Sequence, residues 1–189
     1  MRPWQTPCPP LPESVEQTIK FPSDDEDSGL VYLGWRGPSG VKDLIEFFAT
    51  LCLMEYLTES SVSPLRAAFV ENKDPLASAV AYSIIEQSDC VTYLMFENVP
   101  TEKIEKVKPK LFEELNAIVK EGVKAERLKT VIRRRISKEL SAAEDDPHGC
   151  AANLVIGDVL YGTGEQQVRS SVARKGKCQI DSTVQTRRF

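Results

Sequence analysis

Between Val15 and Phe21 the chain alternates, with Val15, Gln17, Ile19 and Phe21 in one phase and Glu16, Thr18 and Lys20 in the other. A period of two predicts a short strand, ended here by Pro22. Leu30 to Trp35 predicts a second strand, stopped by Gly37-Pro38 and Gly40. The period then lengthens: Val41, Leu44, Ile45, Phe48, Leu51 and Cys52 recur at helical spacing. Because Phe47, Leu53, Met54 and Leu57 fill much of the remainder, this helix is expected to be buried on most of its circumference, with Phe48 at the centre of the core. Ser60 to Pro64 breaks it, and Pro64 suits the first turn of a short helix through Phe69.

Ala77 to Ile85 and Cys90 to Glu97 are β-branched and aromatic runs separated by Glu86-Gln87-Ser88-Asp89, the spacing of an antiparallel hairpin. After Pro100 the period is helical again. Ile104, Val107, Leu111, Leu115, Ile118 and Val119 share one face, with Pro109 kinking or starting the main segment and Gly122 closing it. A second helix follows on Leu128, Val131, Ile132, Ile136 and Leu140, and a third starts at Asp145-Asp146-Pro147 and runs through Leu160. Strands, helices, hairpin and helices in this order predict an α+β fold: a two-layer domain whose largely antiparallel sheet is covered by helices.

Residues 1–14 are proline-rich and read as an extended linker, and residues 15–164 as the domain. Residues 165–189 carry scattered apolar positions and, beyond Val168, six basic residues against one acidic, the pattern of a disordered basic tail. The acidic run Asp24 to Asp27 is expected to be a solvated loop. Overall charge is −4, from 24 basic and 28 acidic residues, so no general attraction to nucleic acid or anionic membrane is expected. The most hydrophobic run, Phe47 to Met54, is closed by Glu46 and Glu55, well short of the roughly 20 residues that span a bilayer. Five widely spaced cysteines without a C-x-x-C pair, and no apolar leader after Met1, point to a reducing compartment, with a cytoplasmic location as the expectation.

A single histidine, His148, limits the chemistry, since hydrolytic zinc sites draw on several imidazoles or carboxylates and triads on a placed base. Four local patterns bear weighing. Gly34, Gly37 and Gly40 sit between strand and helix, where glycine turns offer N–H groups to phosphate, but Pro38 removes one donor and a structural turn is favoured. His148 and Cys150 form a thiol–imidazole pair in sequence, yet residues two apart on a helix face different ways. Glu144-Asp145-Asp146 suits a helix start better than a cation site. Arg133-Arg134-Arg135 spreads around a helix and is expected to pair with nearby acids. No catalytic, cofactor-binding or metal-ligating residue is assigned.

Leu30-Val31-Tyr32-Leu33-Gly34-Trp35-Arg36-Gly37-Pro38, then a buried helix, then Glu55-Tyr56-Leu57-Thr58-Glu59-Ser60-Ser61-Val62-Ser63-Pro64-Leu65, resembles the second, noncatalytic domain of pitrilysin/insulinase-type zinc metallopeptidases. The likeness is to the long-chain branch related to the presequence proteases, and it covers roughly Trp4 to Gly164. In that family the zinc motif H-x-x-E-H belongs to another domain, and this sequence lacks it. The resemblance therefore implies a fragment containing a substrate-chamber domain, inactive alone and without its own cofactor, with zinc held by the missing catalytic domain. Its implied partners are the remaining domains of the parent peptidase and an unfolded peptide in the assembled chamber, with neither nucleic acid nor membrane. An independent protein-interaction module without enzymatic activity is the alternative.

Overall fold

Leu30 to Trp35 form a strand longer than the pattern predicts: β1 runs Ser28–Arg36. In this computed structural model residues 6, 9–22, 26–40, 43–85 and 89–161 are described. Five helices and two further strands follow β1 among them: α1 (Leu44–Thr58), α2 (Pro64–Phe69), β2 (Ala79–Ile85), β3 (Val91–Pro100), α3 (Ile104–Glu121), α4 (Ala125–Asp145) and α5 (Pro147–Tyr161). A short 3-10 turn, Thr101–Lys103, leads into α3. The chain divides into two compact units, one spanning Thr6–Val131 and the other containing Ile132 onward.

In the first unit β3 lies between β1 and β2 and pairs antiparallel with both. The hairpin predicted from Ala77 to Glu97 is therefore present, and the fold is α+β as expected. Strand alternation explains its inner face: Thr92, Leu94 and Phe96 are buried, with Val80 beside them and Val31, Leu33 and Trp35 packed in from β1. Helices supply the second layer, with Tyr56 and Leu57 of α1, Leu65 and Phe69 of α2, Val107 and Leu111 of α3 and Val131 of α4 in the same cluster. The Phe69 and Phe96 rings meet at 4.7 Å between centroids. Pro64 occupies the first turn of α2 as predicted, and Gly122 ends α3 at φ 80°, donating its N–H to the Ile118 carbonyl at 2.8 Å.

Two expectations fail. Residues 15–21 form no strand: Val15, Ile19 and Phe21 are 77, 74 and 85% exposed, and Glu16 instead meets Lys108 of α3. Alternation sets which side chains share a face, but a strand also needs a neighbour to satisfy its backbone, and none of the described strands pairs with this segment. The second failure is the phase of α1. Ile45 is 87% exposed and Phe48 only partly buried, whereas Phe47, Leu51 and even Glu55 are buried. The helix meets the main core through its C-terminal end, so Phe47 and Leu51 join Cys90 in a smaller cluster of their own.

In the second unit Asp146 starts α5: its carboxylate accepts from the Gly149 N–H at 2.8 Å and its carbonyl from the Cys150 N–H at 3.1 Å. Pro147 takes the first helical position. Among the described residues no helix is long and apolar enough to cross a membrane. The proposed tail at 165–189 lies outside the described residues, as do Asp24, Asp25 and much of the proline-rich start.

Candidate functional site

The segment from Glu55 to Leu65 joins α1 to α2, and here the sequence builds a polar knot. Ser63 accepts the Ser60 N–H at 2.9 Å through its hydroxyl, while its own N–H donates to the Ser60 carbonyl at 2.8 Å, which closes a tight turn ahead of Pro64. Arg127, from the first turn of α4, reaches into this turn. Its guanidinium donates to the Val62 carbonyl, the Tyr56 carbonyl and the Ser63 hydroxyl, each at 2.7 Å. It also stacks over the Tyr56 ring, 4.4 Å from the centroid, and the Tyr56 hydroxyl accepts the Lys124 N–H at 3.3 Å. One residue earlier along α1, buried Glu55 accepts from the Tyr82 hydroxyl of β2 at 3.2 Å. The knot ties two helices, a loop and a strand together, and its chemistry is that of a fastening.

The other face of the sheet has a different character. Strand alternation turns Leu30 and Tyr32 of β1, Ile85 of β2 and Val91, Tyr93 and Met95 of β3 away from the helices. Tyr32 stands opposite Met95, and its ring lies 5.9 Å from that of Tyr93. Leu30, Tyr32, Ile85 and Val91 remain 58, 56, 45 and 39% exposed. A solvated face of an antiparallel sheet is normally polar, so this one is unusual in its aromatic and branched content.

The sequence candidates fall apart as chemistry. Gly37 is held close to β3: its N–H donates to the Cys90 carbonyl at 2.8 Å, and a Cβ there would lie 2.9 Å from the Thr92 hydroxyl oxygen. Arg36, Gly37 and Pro38 face Glu46, Ala49, Thr50 and Leu53 across a shallow groove of about 380 Å³. Glu46, in the first turn of α1, sets a carboxylate in this groove opposite the strand end that carries Arg36. His148 is exposed, and the Cys150 thiol is directed at the Ala142 carbonyl, 3.6 Å away, so the two do not act together. Asp146 is occupied as the cap of α5, and Arg135 pairs with Glu139 at 2.6 Å, one turn along α4.

Nor do these residues fit the family's zinc. The one imidazole stands alone in solvent, and among the described residues no three His, Cys, Asp or Glu side chains converge as a metal site. Sequence reasoning did not find Arg127 or the open sheet face. The alternation in β1 and β3 carried a signal for the face, but not which side would meet the helices.

The sequence pattern of the peptidase M16 inactive domain matches residues 2–135. An uncharacterised protein of Schizosaccharomyces pombe is 35% identical over 155 residues, covering 82% of this chain and 15% of its own length. One from Caenorhabditis elegans is 29% identical over 160 residues, covering 84% of this chain and 16% of its own length. This chain thus spans a small part, about 15–16%, of these relatives. An inactive peptidase domain from Bordetella parapertussis shares the fold with a TM-score of 0.60 at 18% identity, over 78% of this chain and 85% of that one. A protease from Helicobacter pylori does so with 0.59 at 21%, over 79% of this chain and 39% of that one. With most of its length matched by that pattern, the chain belongs to the pitrilysin-like M16 peptidase family, as an inactive, noncatalytic domain.

Proposed function

We propose that this domain forms part of the wall of a peptide-enclosing chamber in a larger zinc metalloendopeptidase, with the zinc held by a separate catalytic domain. The observation that carries the reading is the open sheet face of Leu30, Tyr32, Tyr93, Met95, Val91 and Ile85. A domain working alone gains by covering or polarising such a face, whereas one that belongs to an assembly keeps it for its neighbours and for unfolded peptide. The short span of the longer relatives covered by this chain supports the same view. Five widely spaced cysteines without a C-x-x-C pair suit a reducing compartment, in this reading the cytosol.

The test is complementation. The chain is mixed with a separately expressed half that carries H-x-x-E-H, and cleavage of a quenched peptide is followed. Addition of the wild-type chain is expected to raise cleavage, and Tyr32→Lys/Tyr93→Lys, on the open face, to abolish the gain while the fold persists by circular dichroism. No gain with both pieces folded would favour an independent interaction module instead.

A further inference from the structure

Two features of the first unit match each other: a segment that no described strand pairs with, and an edge strand. The first is residues 15–21, an exposed seven-residue alternation in which Glu16 meets Lys108 and Val15, Ile19 and Phe21 face solvent. The second is β2, an edge strand that is also seven residues long and pairs, among the described strands, with β3 alone.

Exposed edges are normally guarded by a charge, a proline or a bulge. The other edge, β1, has a register break between Gly29 and Val31 and ends on Arg36. Strand β2, Ala79-Val80-Ala81-Tyr82-Ser83-Ile84-Ile85, has no charge and no proline, and its register with β3 runs unbroken from Ala79 to Ile85. Ala79, Ala81 and Ser83 put a row of small side chains on its open face, which leaves room beside them for large residues on an added strand. Val15, Ile19 and Phe21 are such residues at strand spacing, and the charges of Glu16 and Lys20 fall on the opposite phase.

Within one chain, Glu16 of the segment meets Lys108 of α3, a helix that contacts β1, at the opposite edge of the sheet from β2. We infer that residues 15–21 of one copy add as a strand to the β2 edge of a second copy, and that reciprocal exchange of the two segments makes a dimer with two equivalent contacts. The pairing runs along the β2 edge, with the added side chains beside the open sheet face, and the inference does not depend on the chamber reading.

The test uses the full 189-residue chain in light scattering, where a dimer gives twice the 21.1 kDa chain mass. Ile19→Pro removes the added strand's pairing, and at a side chain 74% exposed it leaves the core intact. Ser83→Lys guards the edge. Each variant alone is expected to be monomeric with an unchanged far-ultraviolet spectrum. Mixed one to one they are expected to form a heterodimer, since one retains the edge and the other the segment. A monomeric wild type overturns the inference. So does a dimer that survives Ile19→Pro, which would indicate β2 pairing with itself, and so does a mixture that stays monomeric.

Discussion

Arg127 grips Tyr56 twice, donating to its carbonyl at 2.7 Å and lying 4.4 Å above its ring, although the two are far apart in sequence. The planar fork satisfies two carbonyls and a hydroxyl at once, a geometry that lysine cannot reproduce. Arg127→Ala should cost about 2–3 kcal/mol in urea unfolding, the scale of charged hydrogen bonds lost beside polar groups left unsatisfied. Arg127→Lys should recover less than half of that.

Tyr82→Phe removes the hydroxyl that donates to buried Glu55 and little else. The expected loss is about 1 kcal/mol in the same assay. An unchanged midpoint would mean that other partners fully hold Glu55.

A contrast of three truncations checks the core. Phe96→Ala, at a side chain with no exposed surface, should cost about 3–5 kcal/mol, and Ile45→Ala less than about 0.5. Phe48→Ala should fall between them, because Phe48 only flanks the smaller cluster and meets Phe47 edge-on at 5.4 Å.

Local chemistry was the legible part of this fold. Pro64 marked the start of α2, Gly122 the end of α3, and β-branched runs the hairpin, because each acts on its own backbone. What depends on distant partners was not legible. No described strand pairs with the alternation at 15–21, and the crowded apolar pattern of α1 could not reveal that Glu55 would be buried and Ile45 exposed. The Arg127 clamp reaches residues 64 to 71 positions away, beyond any periodicity. The motif that carries the family resemblance, Glu55 to Leu65, proves to be the seat of that clamp, which explains why it identifies a fold without supplying a reaction.

Asp74 should respond to acid. The Lys103 ammonium hydrogen-bonds its carboxylate and adds its charge, with Lys106 helping, so Asp74 titrates below its ordinary 3.8. A carboxyl with a depressed folded pKa adds stability above its unfolded value, and that contribution is lost as pH falls through the folded value. The loop before β2 should therefore loosen below pH 3.8, and Lys103→Ala should return Asp74 to its ordinary range. Carboxyl chemical shifts followed by NMR titration read both effects. A titration at or above 3.8 in the wild type would contradict the contact.

We expect this M16 domain, on its own, not to hydrolyse peptides. The most direct measurement is cleavage of a quenched peptide by the purified 189-residue chain in the presence of zinc, with and without a chelator. With one exposed imidazole and no converging ligands among the described residues, the expected result is a rate equal to buffer in both conditions. Chelator-sensitive cleavage that co-purifies with the chain would contradict it.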